Sequence, residues 1–90
     1  MTTGQRIAAK RKERELSQES LGAELGVSRQ TVYKWESDTS LPEIEKLVAL
    51  SRLFQVPVGW LLGVEEVPEA TEFSEDQLKL LEELLGRYQR

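Results

Sequence analysis

Four side chains that can hydrogen-bond to another molecule lie close together in the stretch GVSRQTVYKWE, residues 26–36. They are Arg29, Gln30, Tyr33 and Lys34. A helix places residues three or four apart on one face, and the apolar Val32 and Trp35 are expected to face a core. Arg and Lys match the guanine edge in the major groove of DNA, and Gln matches adenine. The stretch indicates a helix that contacts bases, and the alternative is an ordinary solvated helix face.

A turn between two short helices would position this stretch. Ser17 is a natural N-cap for a helix predicted over residues 18–25, and Gly26 stands where a left-handed residue ends such a helix. Ser28 then caps the next helix, which is predicted over residues 29–37. Two short helices joined by a tight turn containing glycine form a helix-turn-helix.

Two residues of the helix predicted over residues 18–25 have different roles. Gln18, together with the free N–H groups at the helix start, can bind a phosphate and fix the register of a bound duplex. Gly22 lacks a side chain, and this lets the following helix approach closely. An interior glycine costs roughly 1 kcal/mol relative to alanine, so a close approach would explain its presence.

Three further helices are predicted on either side of this motif. A capping box from Thr2 to Gln5 begins one of them, and a second box from Ser40 to Glu43 begins another. The predicted ranges are residues 3–14, residues 42–54 with Pro42 in the first turn, and a short helix from Pro57 to about Gly63. Residues 1–63 are therefore predicted to form one all-α domain.

The remainder of the chain is predicted to be a linker and one more helix. Residues 64–73 are acidic, contain Pro68 and show no apolar period. Residues 74–90 predict a capped amphipathic helix whose apolar residues are Leu78, Leu81, Leu85 and Tyr88, widened by Leu80 and Leu84. This face either folds back onto the domain or forms a homodimer interface, and we favour the dimer because a small domain already has its own core.

Composition limits the chemistry that the chain can perform. It has no cysteine and no histidine, which excludes thiolate metal sites and histidine acid–base catalysis. No glycine-rich phosphate loop accompanies the carboxylates, so neither an enzyme, a metal site nor a cofactor is expected. No apolar run approaches the roughly 20 residues of a membrane span. The net charge is −4, but residues 1–36 hold seven basic and five acidic side chains, which suits an anionic partner at that end.

The run SQESLGAELGVSRQTVYKWE, followed by LPEIEKLVALSRLFQVPVGWLL, resembles the Cro/C1-type (Xre-family) helix-turn-helix of bacterial and phage repressors. The resemblance covers about residues 3–63 and includes the motif, the core pattern and the helix order. It implies a five-helix, lambda-repressor-like domain that binds double-stranded operator DNA, usually as a homodimer on palindromic half-sites. A cytoplasmic, nucleoid-associated transcriptional regulator acting as a repressor is the function it implies. An antitoxin-like or adaptor protein that binds another protein is the alternative.

The resemblance also implies roles for individual residues. It implies that the bases are contacted by Arg29, Gln30 and Lys34. It implies that the DNA backbone is contacted by Gln18, Thr31 and Tyr33. Gln18 would also orient Gln30. Arg11 and Glu36 match an ion pair that joins the first helix to the third. The sequence departs from the family pattern at Gly22, where alanine is usual, and at Asp38, which weakens the expectation of a phosphate contact in that loop.

Overall fold

Five α-helices follow one another in residues 1–66. The computed structural model describes residues 1–66, 79–80, 82–84 and 86 of the chain. The five helices are α1 (Thr3–Glu13), α2 (Gln18–Leu25), α3 (Arg29–Glu36), α4 (Ile44–Phe54) and α5 (Val58–Leu61). No β-strand occurs within the described residues. The prediction of an all-α fold with helices in this order is confirmed.

The first three helices begin at the caps that the sequence predicts. At α1 the box is complete: the Gln5 N–H donates to the Thr2 hydroxyl over 3.1 Å, and the Thr2 N–H donates to the Gln5 side chain over 2.9 Å. Ser17 and Ser28 accept from the N–H groups three residues later, over 3.0 and 3.2 Å. Each such cap contributes about 1 kcal/mol of helix stability, so local sequence determines where these helices start.

The predicted start of the fourth helix is wrong. α4 begins at Ile44, after an N-cap at Glu43 that makes no side-chain capping bond, so Ser40 and Glu43 do not form a capping box. The Ser40 N–H instead donates to the Lys34 carbonyl oxygen over 3.2 Å. The Ser40 N–H therefore bonds to a carbonyl oxygen at the C-terminal end of α3 and does not cap α4. Pro42 lies buried in the connection between the two helices, not in the first turn of α4.

The hydrophobic core takes side chains from all five helices, and α3 lies against both α1 and α2. The buried apolar residues are Ile7, Leu21, Leu25, Val32, Trp35, Leu47, Leu50, Phe54, Val56 and Leu61. Full burial of one such side chain contributes about 1.5–3 kcal/mol. Because Val32 and Trp35 supply the inner face of α3, the core fixes the direction in which its outer face points.

The N-terminal turn of α1 lies directly against the C-terminal end of α3. The Gly4 N–H donates to the Asp38 Oδ1 atom over 2.9 Å. A Cβ atom on Gly4 would overlap the carbonyl oxygen of Trp35 and would lie 2.6 Å from that of Glu36. Only glycine permits this approach without movement of the backbone.

The described part of the C-terminal segment is helical and exposed. It comprises residues 79–80, 82–84 and 86, and Leu80 and Leu84 in it are 63% and 48% exposed. The predicted dimerisation residues lie outside the described residues, as does most of the predicted linker: they are Leu78, Leu81, Leu85 and Tyr88, and residues 67–73. No helix in the described part of the chain combines the length and the apolarity that crossing a bilayer requires.

Candidate nucleic-acid interface

The outer face of α3 consists of side chains with no partner inside the described residues. Arg29, Gln30 and Lys34 are exposed, and Tyr33 is 59% exposed. None of these four side chains appears in a hydrogen bond or ion pair with another described residue. Their donor groups are therefore free to meet an external partner.

The turn between α2 and α3 is held by close backbone contacts. Gly26 adopts the left-handed conformation, with φ of 70° and ψ of 32°, as predicted for the residue that ends α2. A Cβ atom on Gly22 would lie 2.6 Å from the Val27 carbonyl oxygen, so the close approach at this glycine is made by the turn that precedes α3 rather than by α3 itself. The Lys46 ammonium of α4 donates to the Leu25 carbonyl oxygen over 2.8 Å and ties α4 to the end of α2.

An ion pair joins α1 to the C-terminal end of α3. The Arg11 guanidinium donates to both carboxylate oxygens of Glu36, over 2.7 and 3.0 Å, and to the Leu16 carbonyl oxygen over 2.8 Å. The two side chains are only 13% and 8% exposed. The hydrogen bond from Glu36 raises the pKa of Arg11; burial opposes this, and the charge of the carboxylate adds to it. The guanidinium therefore stays charged throughout the neutral range.

Gln18 belongs to the same network. Its amide nitrogen donates to the Glu36 Oε1 atom over 3.2 Å, so the carboxylate at the end of α3 holds side chains from both α1 and α2. The side chain thus bonds to Glu36 in this structure, whereas the family resemblance implies that it orients Gln30. Gln18 is also the first residue of α2, so it lies next to the free N–H groups at the start of that helix.

An open groove of about 340 Å³ lies at the N-terminal end of α2. Its lining residues are Arg11, Ser17, Gln18, Glu19 and Arg29. Arg29 and the positive end of a helix dipole meet the carboxylate of Glu19 around this space, while the guanidinium of Arg11 is already bonded to Glu36. Helix N-termini bind phosphates because their first N–H groups lack partners within the helix, so the groove offers suitable chemistry for one phosphate of a nucleic-acid backbone.

Thr31 is placed between the exposed face and the cap of α3. It is half-buried, and its hydroxyl lies 3.0 Å from that of Ser28, with which it shares a hydrogen bond. A backbone contact by Thr31 would use the remaining hydrogen-bonding capacity of the same hydroxyl. Tyr33, by contrast, is an exposed residue.

Two residues that hold the interface in place were missed by the sequence analysis. Asp38 bonds to the N-terminal turn of α1, 34 residues earlier in the chain, which accounts for the acid in that loop. Lys46 bonds to the end of α2 across 21 residues. No local pattern marks either residue, because each partner is a backbone group brought close only by the fold.

The same arrangement occurs in known proteins. A model of the helix-turn-helix family matches residues 7–61 of the chain. The HTH-type transcriptional regulator YobD of Bacillus subtilis (strain 168), itself uncharacterized, is 32% identical over 65 residues, which are 72% of this chain and 58% of YobD. The HTH-type transcriptional regulator DicA of Escherichia coli (strain K12) is 34% identical over 89 residues, covering 91% of this chain and 66% of DicA. The chain thus spans less than two thirds of either relative.

A solved structure with a similar fold contains DNA. The c2 repressor of phage P22, in complex with a synthetic operator, superposes with a TM-score of 0.68 and 35% sequence identity. The superposition covers 72% of this chain and 98% of that one.

Proposed function

Because this chain belongs to the Cro/C1-type helix-turn-helix family and its fold is lambda-repressor-like, we propose that it is a sequence-specific DNA-binding transcriptional regulator. It acts as a repressor that binds double-stranded operator DNA. The observation that carries this proposal is the outer face of α3, where Arg29, Gln30 and Lys34 have no partner among the described residues while Val32 and Trp35 anchor the inner face.

The outer face of α3 enters the major groove, whose width of about 12 Å admits one helix. Arg29 and Gln30 lie in the first turn of α3, and the first residues of a recognition helix reach deepest toward the bases. Arginine can donate two bonds to guanine, and glutamine can both donate to and accept from adenine. Lys34, one turn later, reaches a neighbouring base.

Contacts with the DNA backbone fix the register of α3. The groove at the N-terminal end of α2 receives one phosphate, which is bound by the free N–H groups of that helix and by Gln18. Thr31 and Tyr33 contact the edge of the groove beside it. Such contacts position the protein on the duplex and carry no sequence information of their own.

Replacement of Arg29 by alanine is expected to weaken binding to the preferred operator by about 1–3 kcal/mol and to relax the preference at one base pair. The lost side chain has no role inside the domain, so stability should change little. Selection of bound sequences from a random DNA pool identifies the operator first. Titration of that operator and of random DNA at one salt concentration then measures both affinities.

Arg52→Ala is the matched control for this variant. Arg52 is also an exposed arginine on a helix, but it lies on α4, and its removal should leave the discrimination between operator and random DNA unchanged. Equal losses of affinity for operator and random DNA with Arg29→Ala would argue against base contact by this residue.

The proposed regulator binds its operator as a homodimer through the C-terminal segment, on half-sites separated by about 34 Å, one turn of DNA. Leu80 and Leu84 support this proposal, because they are four residues apart, lie on one helical face and are 63% and 48% exposed. Residues four apart are neighbours on a helix surface, so the two leucines form a continuous apolar strip that requires a partner.

Replacement of both Leu80 and Leu84 by serine is expected to raise the dissociation constant of the dimer at least about tenfold, because each buried leucine contributes about 1.5–3 kcal/mol. Sedimentation equilibrium without DNA gives this constant directly. Glu82→Gln is the control, since Glu82 is exposed and lies two residues from each leucine, on another face. A chain cut after Glu72 should lose the dimer as well. The same association state for the parent, the double variant and the cut chain, each relative to its own chain mass, would exclude this segment from dimer formation.

The exposed leucine strip also favours a second candidate function, an antitoxin-like or adaptor protein whose C-terminal segment binds a different protein. The two functions differ in the behaviour of the purified chain. A chain that selects an operator and sediments as a dimer by itself supports the regulator, whereas a monomer that prefers no DNA sequence supports the protein-binding module.

A further inference from the structure

α1 and α5 together form a surface on which cations lie over an aromatic ring. The Arg6 guanidinium carbon is 4.9 Å from the centre of the Trp60 ring, and the Lys10 nitrogen is 5.2 Å from it. Both distances are within the roughly 6 Å at which a cation is attracted to a ring face. The apolar Leu62 and Val64 follow Trp60 and are 41% and 80% exposed. These five residues constitute the α1–α5 patch.

Arg6 is the cation of this patch that is available to a partner. Lys10 is already paired with Glu13 over 3.0 Å. The Nε atom of Arg6 is buried and has no hydrogen-bond partner among the described residues, and no bond from its other nitrogens to these residues occurs. Stacking on Trp60 holds the guanidinium in place. Its terminal nitrogens make no bond to the described residues and, unlike Nε, are not buried, so they are the atoms that a carboxylate from outside the domain would meet.

The chemistry of the patch therefore suits a helix that presents a carboxylate beside apolar side chains. The predicted C-terminal helix of this chain, residues 74–90, holds five leucines and four acidic side chains against three basic ones. Glu83 lies three residues after Leu80 and next to Leu84, on the exposed leucine strip. Leu80, Glu83 and Leu84 thus offer two apolar groups and one carboxylate to a surface that offers apolar side chains and one guanidinium.

We propose that the C-terminal segment of one copy of the chain docks on the α1–α5 patch of a second copy, with Glu83 paired to Arg6. Leu80 and Leu84 are exposed in the single chain, which favours a second copy over the chain's own patch as the partner. Two copies exchange segments reciprocally about a two-fold axis, the usual symmetry of a homodimer. This inference rests on the proposed homodimer and specifies what the leucines contact, namely the partner's domain rather than a second C-terminal helix.

Charge reversal tests the exchange in the full-length chain. Arg6→Glu places a carboxylate in the patch opposite Glu83, and Glu83→Arg places a guanidinium opposite Arg6. Each variant alone is expected to raise the dissociation constant of its dimer at least about tenfold, since like charges in an interface repel. An equimolar mixture of the two variants should recover a dimer close to parental strength, because each segment then meets an oppositely charged patch on the other chain. Native mass spectrometry identifies that species as the mixed dimer.

Matched controls separate this pairing from general effects of charge. Lys12→Glu changes another exposed basic residue of α1, and Glu82→Arg changes the exposed acid on the other face of the segment. Both should dimerise like the parent. Circular dichroism establishes that Arg6→Glu remains folded, and Glu83→Arg, at an exposed position, tests the pairing independently of that result.

Three outcomes would overturn the exchange. In the first, Glu83→Arg dimerises like the parent. In the second, Arg6→Glu and Glu83→Arg both dimerise more weakly than the parent, and their mixture stays monomeric. The segment would then lie on its own domain or contact only another segment. In the third, the parent itself is a monomer, and the proposed homodimer then fails together with the exchange. In the first two outcomes the parent still dimerises and selects an operator, so the proposed function survives them.

Discussion

Replacement of Glu36 by alanine is expected to reduce the free energy of unfolding by about 3–5 kcal/mol, as removal of one partner from a buried ion pair typically does. The Arg11 side chain is only 13% exposed, and its guanidinium would lose both of its bonds to the carboxylate. The Gln18 amide would lose its acceptor as well. Urea unfolding at neutral pH, followed by circular dichroism, measures the change.

The exposed pair between Lys10 and Glu13 is a matched control on α1, the helix that carries Arg11. Glu13 is 64% exposed in its ion pair with Lys10, and an exposed pair contributes only about 0–1 kcal/mol, so Glu13→Ala should have a small effect. Replacing Arg11 by methionine together with Glu36→Ala should cost less than Glu36→Ala alone, because no unpaired charge is left buried. A loss of less than about 1 kcal/mol for Glu36→Ala would show that water reaches Arg11 after the substitution.

The dependence of this stabilisation on pH follows from the raised pKa of Arg11. A basic group whose pKa is higher in the folded state stabilises the fold at every pH below its ordinary value, and this contribution is lost as the pH rises through the folded value. For an arginine that range is strongly alkaline. The contribution of Arg11 should therefore be constant across the neutral range.

Gly4→Ala is expected to destabilise the domain by about 1–3 kcal/mol, the usual cost of inserting a methyl group into a packed site. The new Cβ would overlap the Trp35 carbonyl oxygen and lie 2.6 Å from that of Glu36. These are backbone atoms at the end of α3, so relief requires α1 to move and strains the bond from Gly4 to Asp38. Differential scanning calorimetry should register the loss as a lower Tm, by roughly 4–8 °C per kcal/mol for a domain of this size.

Gly86→Ala is the control for helix propensity. Gly86 is also helical, and a Cβ atom built on it meets nothing within 4 Å. Alanine is favoured over glycine by about 1 kcal/mol in a helix interior, so this variant should be neutral or more stable. A Tm for Gly4→Ala at or above that of the parent would mean that α1 can shift away from α3 at little cost.

The sequence was most informative where structure depends on neighbours in the chain. The caps at Thr2, Ser17 and Ser28 and the left-handed Gly26 are each determined by contacts within five residues, so their signals are local. The start of α4 was predicted wrongly, because the Ser40 N–H, which a capping box would direct to the Glu43 side chain, donates instead to the Lys34 carbonyl oxygen of α3. That choice depends on the end of another helix, which a capping pattern cannot report.

The residues of the candidate interface also differ in whether the sequence alone can identify them. The exposed residues of α3 follow from helical spacing together with the burial of Val32 and Trp35. Asp38 joins the end of α3 to α1, and Lys46 joins α4 to the end of α2, through backbone groups 34 and 21 residues away. Distances of this kind depend on the complete fold, so these positioning residues could be found only from the structure.

The two sides of α3 have separable consequences for the evolution of this protein. Val32 and Trp35 determine folding from one side, while Arg29, Gln30 and Lys34 make no bond within the described domain from the other. Under the proposed function, exchange of the three outward residues alters base preference at almost no thermodynamic cost to the scaffold. A lineage of such regulators would then acquire new target sites through a few point mutations while its architecture stays constant.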